Sequence, residues 1–247
     1  MNVKLKQALL ISGLTLATST AALAMGDKPT KEITPDPFAN LIEQPLNLGE
    51  HFALRTYTGQ AVGLALTNQL NVKSLNIIQN TSSICTSLAA AIGAETVAHN
   101  RDNNVYLSIA VNEPDDVAKQ AARMMDKEAV ALVFGGQTPA PQNYALVKAT
   151  LSELAKANYE GAIFYHVAVW APKMLEKIAA EDAAIKAYLT AKQNMFAVTI
   201  NPKDGLMLIH QVALNANGEQ ASVAVLHQEE MNDSWLNLFK RSLIQRN

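Results

Sequence analysis

The sequence predicts an α/β fold: a mixed sheet with a parallel βαβ central part, a C-terminal antiparallel meander and an N-terminal helical segment. Two observations support this prediction. Short apolar runs at residues 105–111, 129–134 and 162–169 alternate with amphipathic helical stretches, as in βαβ units. Further along, turn residues at 201–205 and 217–218 separate apolar runs, a pattern typical of antiparallel strands.

Residues 1–24 are expected to be a removable secretory signal. Two lysines precede an apolar stretch over residues 8–16, and residues 21–24 have the A-x-A pattern of a cleavage site. The alternative, a retained anchor, is weaker because a membrane span needs about 20 apolar residues. We therefore expect a soluble chain that begins near Met25 and is periplasmic or secreted, with no membrane span in the mature chain.

Two further segments follow the signal. Residues 25–50 contain four prolines, which fix φ and remove backbone donors, so this stretch is predicted to be a flexible lead-in. Residues 51–247 are predicted to form a single α/β domain, with a helical part at 51–99 and the sheet and its helices at 104–247. Gly59 and Gly63 weaken the first helix prediction. A second helix is expected to start near residue 82, after Asn80-Thr81-Ser82.

The remaining elements are predicted from local signals. The first apolar run is followed by Pro114 and acidic residues, which suit a helix start. Apolar residues at helical spacing predict a helix after the second run, one long helix after the third, and a last helix from about Asp233. Continuous apolarity in the three runs indicates parallel strands buried on both faces, although short apolar runs are also compatible with helices.

Charge and cysteine content exclude several classes of function. Without Lys4 and Lys6 the chain has 18 basic and 22 acidic residues, a formal charge of −4. Such a surface does not favour nucleic acid or anionic lipid, which need clustered cations. Cys85 is the sole cysteine, so an intrachain disulfide is impossible. A buried inert thiol is the favoured interpretation of Cys85, ahead of an intermolecular disulfide and a nucleophile.

A ligand site, if there is one, is expected at the carboxyl ends of the parallel strands, where open α/β sheets bind ligands. The residues that follow the three apolar runs there are Glu113, Asp115, Gly135, Gly136, Thr138 and Trp170. Glycines after a strand can present backbone N–H groups to a ligand. The segment GGQTPAP is neither a GxGxxG motif nor a P-loop, and ordinary loop geometry is the competing interpretation.

No spacing in the sequence signals a zinc site, a catalytic triad or a cofactor, and none is predicted. One pair of histidines is a weak metal candidate. If Asn217-Gly218 is a two-residue turn, Leu208 faces His227, and His210 lies on the same face of the sheet one step away. The competing interpretation is a polar stripe that faces water or a partner.

Two functional hypotheses follow. The first is a soluble exported non-enzymatic protein, a binding or assembly subunit of a bacterial cell-envelope or secretion complex, with protein partners in the envelope. It is favoured because catalytic motifs are lacking in the sequence. The second is an exported hydrolase or small-ligand-binding protein that uses the loops at the carboxyl ends of the parallel strands.

Overall fold

A seven-stranded mixed sheet, in the order β2-β1-β3-β4-β5-β6-β7, forms the centre of the protein. The structure is a computed structural model that describes residues 45–100 and 106–244, so the predicted signal and most of the predicted lead-in lie outside the described residues. The strands are β1 Leu75–Asn80, β2 Tyr106–Val111, β3 Ala129–Val133, β4 Ala162–Tyr165, β5 Met195–Asn201, β6 Leu206–Leu214 and β7 Gln220–Glu230. Strands β1 to β5 pair in parallel, and β6 and β7 add in antiparallel fashion, which confirms the predicted mixed sheet.

Helices cover both faces of this sheet. They are α1 Leu48–Leu64, which continues into a π-helical turn at Ala65–Gln69, α2 Ser83–His99, α3 Pro114–Met124, α4 Ala140–Lys156, α5 Val167–Trp170, α6 Met174–Glu181, α7 Ala183–Ala191 and α8 Asp233–Ile244. One apolar core contains residues of α1, α2 and α8, and the other contains residues of α3, α4, α6 and α7. Among the described residues, no helix combines the length and apolarity that a membrane crossing requires.

Strand β1 was not anticipated, because residues 51–99 were predicted to be helical throughout. Its six residues are all buried, and it pairs with both β2 and β3 near the middle of the parallel sheet. A strand buried on both faces does not alternate between apolar and polar residues, so its sequence does not distinguish it from a helical segment. The prediction of helix is therefore wrong for Leu75–Asn80 and correct for α1 and α2.

The third apolar run and the long helix after it are each divided in the structure. Strand β4 ends at Tyr165, and His166 begins the short helix α5 by accepting a hydrogen bond from the Ala168 N–H at Nδ1, 3.3 Å away. The predicted long helix breaks at Asp182, whose carboxylate accepts hydrogen bonds from the first N–H groups of α7. A local cap at Asp182 therefore outweighs the continuous apolar stripe.

Helices α1 and α2 approach each other unusually closely, and two glycines of α1 allow it. A Cβ atom added at Gly59 would lie 2.5 Å from the Cβ of Ala91 and 2.9 Å from the carbonyl oxygen of Leu88. One added at Gly63 would lie 2.6 Å from the Cβ of Glu95. The glycines that weakened the helix prediction are therefore where the backbone of α1 meets α2.

Helix α8 fastens the end of the chain to α1. The Trp235 indole N–H donates to Thr58 Oγ1 at 3.2 Å, and its ring stacks on that of Tyr57. The Arg241 guanidinium makes two hydrogen bonds to the carboxylate of Glu50, at 2.7 and 3.0 Å. This contact holds the pKa of Glu50 below its usual value. Paired donors and acceptors of this kind fix orientation as well as distance.

Candidate functional site

The loop after β3 is built around two glycines at the carboxyl edge of the sheet. Gly135 and Gly136 have φ angles of +133° and +64°, which residues other than glycine rarely adopt. A Cβ atom at Gly136 would lie 2.6 Å from Ser82 Oγ and 3.2 Å from Cys85 Sγ. The loop after β3 therefore packs directly on the start of α2, at the point where the strand order reverses between β1 and β3.

Asn143, on α4, holds this loop in place. Its side-chain oxygen accepts hydrogen bonds from Asn80 Nδ2 at 2.7 Å and from the Gly135 N–H at 3.1 Å. Its amide nitrogen donates to the carbonyl oxygens of Thr138 at 2.8 Å and Gly135 at 3.3 Å. The Asn143 side chain is buried and uses both of its polar atoms, so it shapes the loop and leaves no polar atom for a ligand.

A cleft of about 480 Å³ opens beside this loop. The described residues that line it carry no ionisable side chain and are Gly135, Gly136, Thr138, Ala140, Asn143, Val167, Ala168, Ala171, Pro172 and Met174. Its volume lies within the range of small-molecule sites, which are mostly apolar with a few polar groups. The structure thus brings together three of the six residues expected at a ligand site: Gly135, Gly136 and Thr138.

The two acidic residues expected there do not line this cleft. Glu113 and Asp116 form a capping box at the start of α3, and Asp116 also accepts from the Asn112 N–H. These backbone hydrogen bonds lower the pKa of Asp116. Asp115 is an exposed residue in the first turn of α3. The acidic cluster therefore stabilises the start of a helix, a structural role that acidic residues commonly have, and does not contribute to the cleft.

Trp170 lies beside the cleft without lining it. Its ring stacks on Tyr165, with the ring centroids 6.5 Å apart. Its carbonyl oxygen accepts from the side-chain amide of Gln220, the first residue of β7, and the Gln220 N–H donates to Glu176 Oε1. Trp170 therefore links the carboxyl edge of the sheet to β7 through its backbone.

Cys85 is buried, as the sequence predicts, in the first turn of α2. Its removal from water raises the pKa of the thiol to about 11. At neutral pH the group is therefore a thiol, whereas nucleophilic attack and metal binding require the thiolate. Among the described residues, no cluster of three or more histidine, cysteine, aspartate or glutamate side chains is suited to hold a metal ion.

The expected register of the last hairpin, with Leu208 opposite His227, is wrong. Residues 215–219 form a longer loop, and β7 carries two register shifts, so His210 pairs with Val225 while His227 pairs with Ile209. Paired residues share a face and consecutive residues point to opposite faces, so the two imidazoles lie on opposite faces of the sheet. His210 contacts Thr199 and Ser222 instead.

Strand β7 is a second candidate site, which the sequence did not reveal. It is an edge strand of eleven residues, and its residues 221–226, ASVAVL, are all exposed. Val223, Val225 and Leu226 keep 59, 53 and 40% of their surface in water. Five apolar residues in a stretch of six would suit a buried strand, and only the fold shows that no described helix covers them.

A protein-family model described as "Uncharacterized protein" matches residues 51–238. The match begins in α1 and ends in α8, so it includes all seven strands, the carboxyl-edge cleft and β7. No curated protein matches the chain.

Proposed function

The chain belongs to the family whose model spans residues 51–238, and we propose that it is an exported, non-enzymatic binding or assembly subunit of a bacterial cell-envelope or secretion complex. The observation that carries the proposal is the exposed apolar edge strand β7. An edge strand offers unpaired N–H and C=O groups to another chain, and natural proteins usually blunt such edges with charges or prolines. Residues 220–226 contain neither, and the two register shifts of β7 are the one such device that this stretch carries.

The physical chemistry of β7 suits strand addition. Backbone hydrogen bonds along an added strand supply affinity, and apolar side chains at alternate positions supply specificity. Val223, Val225 and Leu226 give a partner strand apolar surface to cover, at about 25 cal/mol for each Å² removed from water. Export is part of the same proposal and is supported by the signal-like residues 1–24.

The assembly function is tested with a photo-crosslinking amino acid placed at Val225 in intact cells. A matched control carries it at Val97, an exposed apolar residue on α2. We expect a covalent adduct with another polypeptide from position 225 and little from position 97. Equal yields at both positions, or no adduct at 225, would contradict the role of β7. Export is checked by the mature N-terminus in the periplasmic fraction, expected near Met25.

A second candidate function is favoured by the carboxyl-edge cleft: binding of an uncharged, largely apolar small molecule. Its volume of about 480 Å³ suits such a ligand, and its lining carries no charge to neutralise. Hydrolysis is the less favoured form of this candidate, since general acid and base catalysis needs ionisable groups within hydrogen-bonding reach. Of the residues that the structure describes, no ionisable one lines the cleft.

This second candidate predicts that Ala171→Phe blocks binding of an apolar probe. Ala171 is exposed at the rim of the cleft, so a phenyl ring there fills the space without disturbing the core. The probe is N-phenyl-1-naphthylamine, whose fluorescence rises in apolar surroundings. We expect a loss of affinity of about tenfold or more, corresponding to about 1.4 kcal/mol. Ala191→Phe, at an exposed alanine elsewhere, is the control, and equal binding by both variants would reject the cleft.

A further inference from the structure

We propose that the occupant of β7 is a second copy of this chain, paired antiparallel so that two sheets join across a two-fold axis near Ala224. This inference rests on the assembly function proposed above and names the partner. The last three strands of the sheet, β5 to β7, are already antiparallel. A second β7 would continue the antiparallel pairing, so that the sheets of the two copies form one continuous sheet.

The charge distribution of β7 favours a second copy in this orientation. Residues 220–226 are uncharged, and the acidic residues Glu229 and Glu230 lie at the carboxyl end. An antiparallel pair centred on Ala224 places the two Glu230 residues twelve positions apart, about 40 Å at 3.3 Å per residue. A parallel pair would set four carboxylates side by side, which is unfavourable.

The apolar side chains also complement one another about this axis. The register shifts between β6 and β7 leave Val223 and Leu226 without a directly paired residue on β6. In the proposed register Val223 of one copy lies opposite Val225 of the other, because their numbers sum to twice 224. The most exposed apolar residues of β7 therefore meet at the centre, where a strand–strand interface buries most area.

The predicted lead-in of this chain is the less suitable occupant. A proline lacks the N–H that a strand ladder needs and is excluded from central strand positions. The sequence of the lead-in has prolines at 29, 35, 37 and 45, so its longest proline-free run between them, residues 38–44, is seven residues long. Strand β7 has eleven residues. A second β7 paired about Ala224 overlaps the first over residues 220–228, which is longer than any proline-free run between the prolines of the lead-in.

The oligomeric state tests the proposal. By sedimentation velocity we expect the chain, as the cell produces it, to be a dimer, and the exposed-site variant Val225→Lys to be a monomer. Its dimer dissociation constant should rise about 100-fold, because the symmetry places the new charge in the interface twice. Val97→Lys, at a valine of similar exposure on α2, should stay dimeric. The proposal is overturned if the native chain stays monomeric up to about 100 µM, a concentration that corresponds to a dimerisation free energy of roughly −5.5 kcal/mol. It is also overturned if the chain is a dimer whose dissociation constant is unchanged by Val225→Lys.

Disulfide trapping tests the orientation. Ala224→Cys places a thiol at the axis, opposite its own counterpart, and should form a covalent dimer under mild oxidation. Glu230→Cys places it far from the axis and should not. Cys85 is buried and contributes no background. Faster trapping by Glu230→Cys would overturn antiparallel pairing. A monomeric chain whose position 225 crosslinks to a different polypeptide would overturn the second copy while leaving the assembly function standing.

Discussion

Replacing Asn143 with leucine is expected to lower the free energy of unfolding by about 4 kcal/mol. Each buried polar group that loses its hydrogen-bond partner contributes about 1–3 kcal/mol to this loss. The groups that lose their partner are the Gly135 N–H, the Thr138 carbonyl and one hydrogen bond of Asn80. Leucine has the same number of side-chain heavy atoms as asparagine and the same branching at Cγ, so the variant leaves no cavity. Denaturant unfolding followed by circular dichroism measures it.

Asn194 provides the matched control for this change. Its amide makes one hydrogen bond, to the carbonyl of Glu160, at an exposed site. Asn194→Leu should therefore cost less than about 1 kcal/mol. The Asn143 variant should also lose binding of the apolar probe in the cleft, because the loop that carries Gly135 is no longer fixed. Equal stability of the two variants would show that the loop holds its shape without Asn143.

The hydrogen bonds of Asn143 could not be predicted from the sequence. Asn80 and Asn143 are 63 residues apart, and only the fold brings them together. The glycines of the same loop were identified from sequence, because glycines after a strand can present backbone N–H groups to a ligand. Their positive φ angles are seen only in the structure. Glu113 and Asp115 follow the first apolar run in the same way, yet local helix capping of α3 accounts for that acidic cluster. The position of a residue directly after a strand therefore does not show whether it lines a cleft or caps a helix.

The parallel strands β2 to β4 were predictable because each is a short apolar run between amphipathic helices. Strand β1 was not, because its neighbours on both sides are helical and its residues do not alternate. The exposure of β7 depends on which other elements pack against it, so the sequence of the strand itself does not predict it. The faces of His210 and His227 depend on one extra residue in a bulged strand, which a regular register does not anticipate.

Gly59→Ala is expected to destabilise the protein by about 2 kcal/mol, although alanine in a helix is ordinarily favoured over glycine by about 1 kcal/mol. The reversal follows from the contact with α2. The new methyl group would lie 2.5 Å from the Cβ of Ala91 and 2.9 Å from the Leu88 carbonyl oxygen, so the helices must separate. Overpacking of this kind costs about 3 kcal/mol, which exceeds the gain in propensity. The midpoint of denaturant unfolding gives the net sign.

Two companion variants separate packing from helix propensity. Gly49→Ala changes an exposed glycine in the first turn of the same helix, with only the Asn47 side chain nearby, and should raise the free energy of unfolding by up to about 1 kcal/mol through helix propensity alone. Adding Ala91→Gly to Gly59→Ala removes one of the two clashes, so the double variant should lose less than the sum of the single losses. Additive losses, or a gain in stability from Gly59→Ala alone, would mean that α1 and α2 are not in contact at this glycine. Close backbone contact is therefore the reason that α1 retains a residue poorly suited to helices.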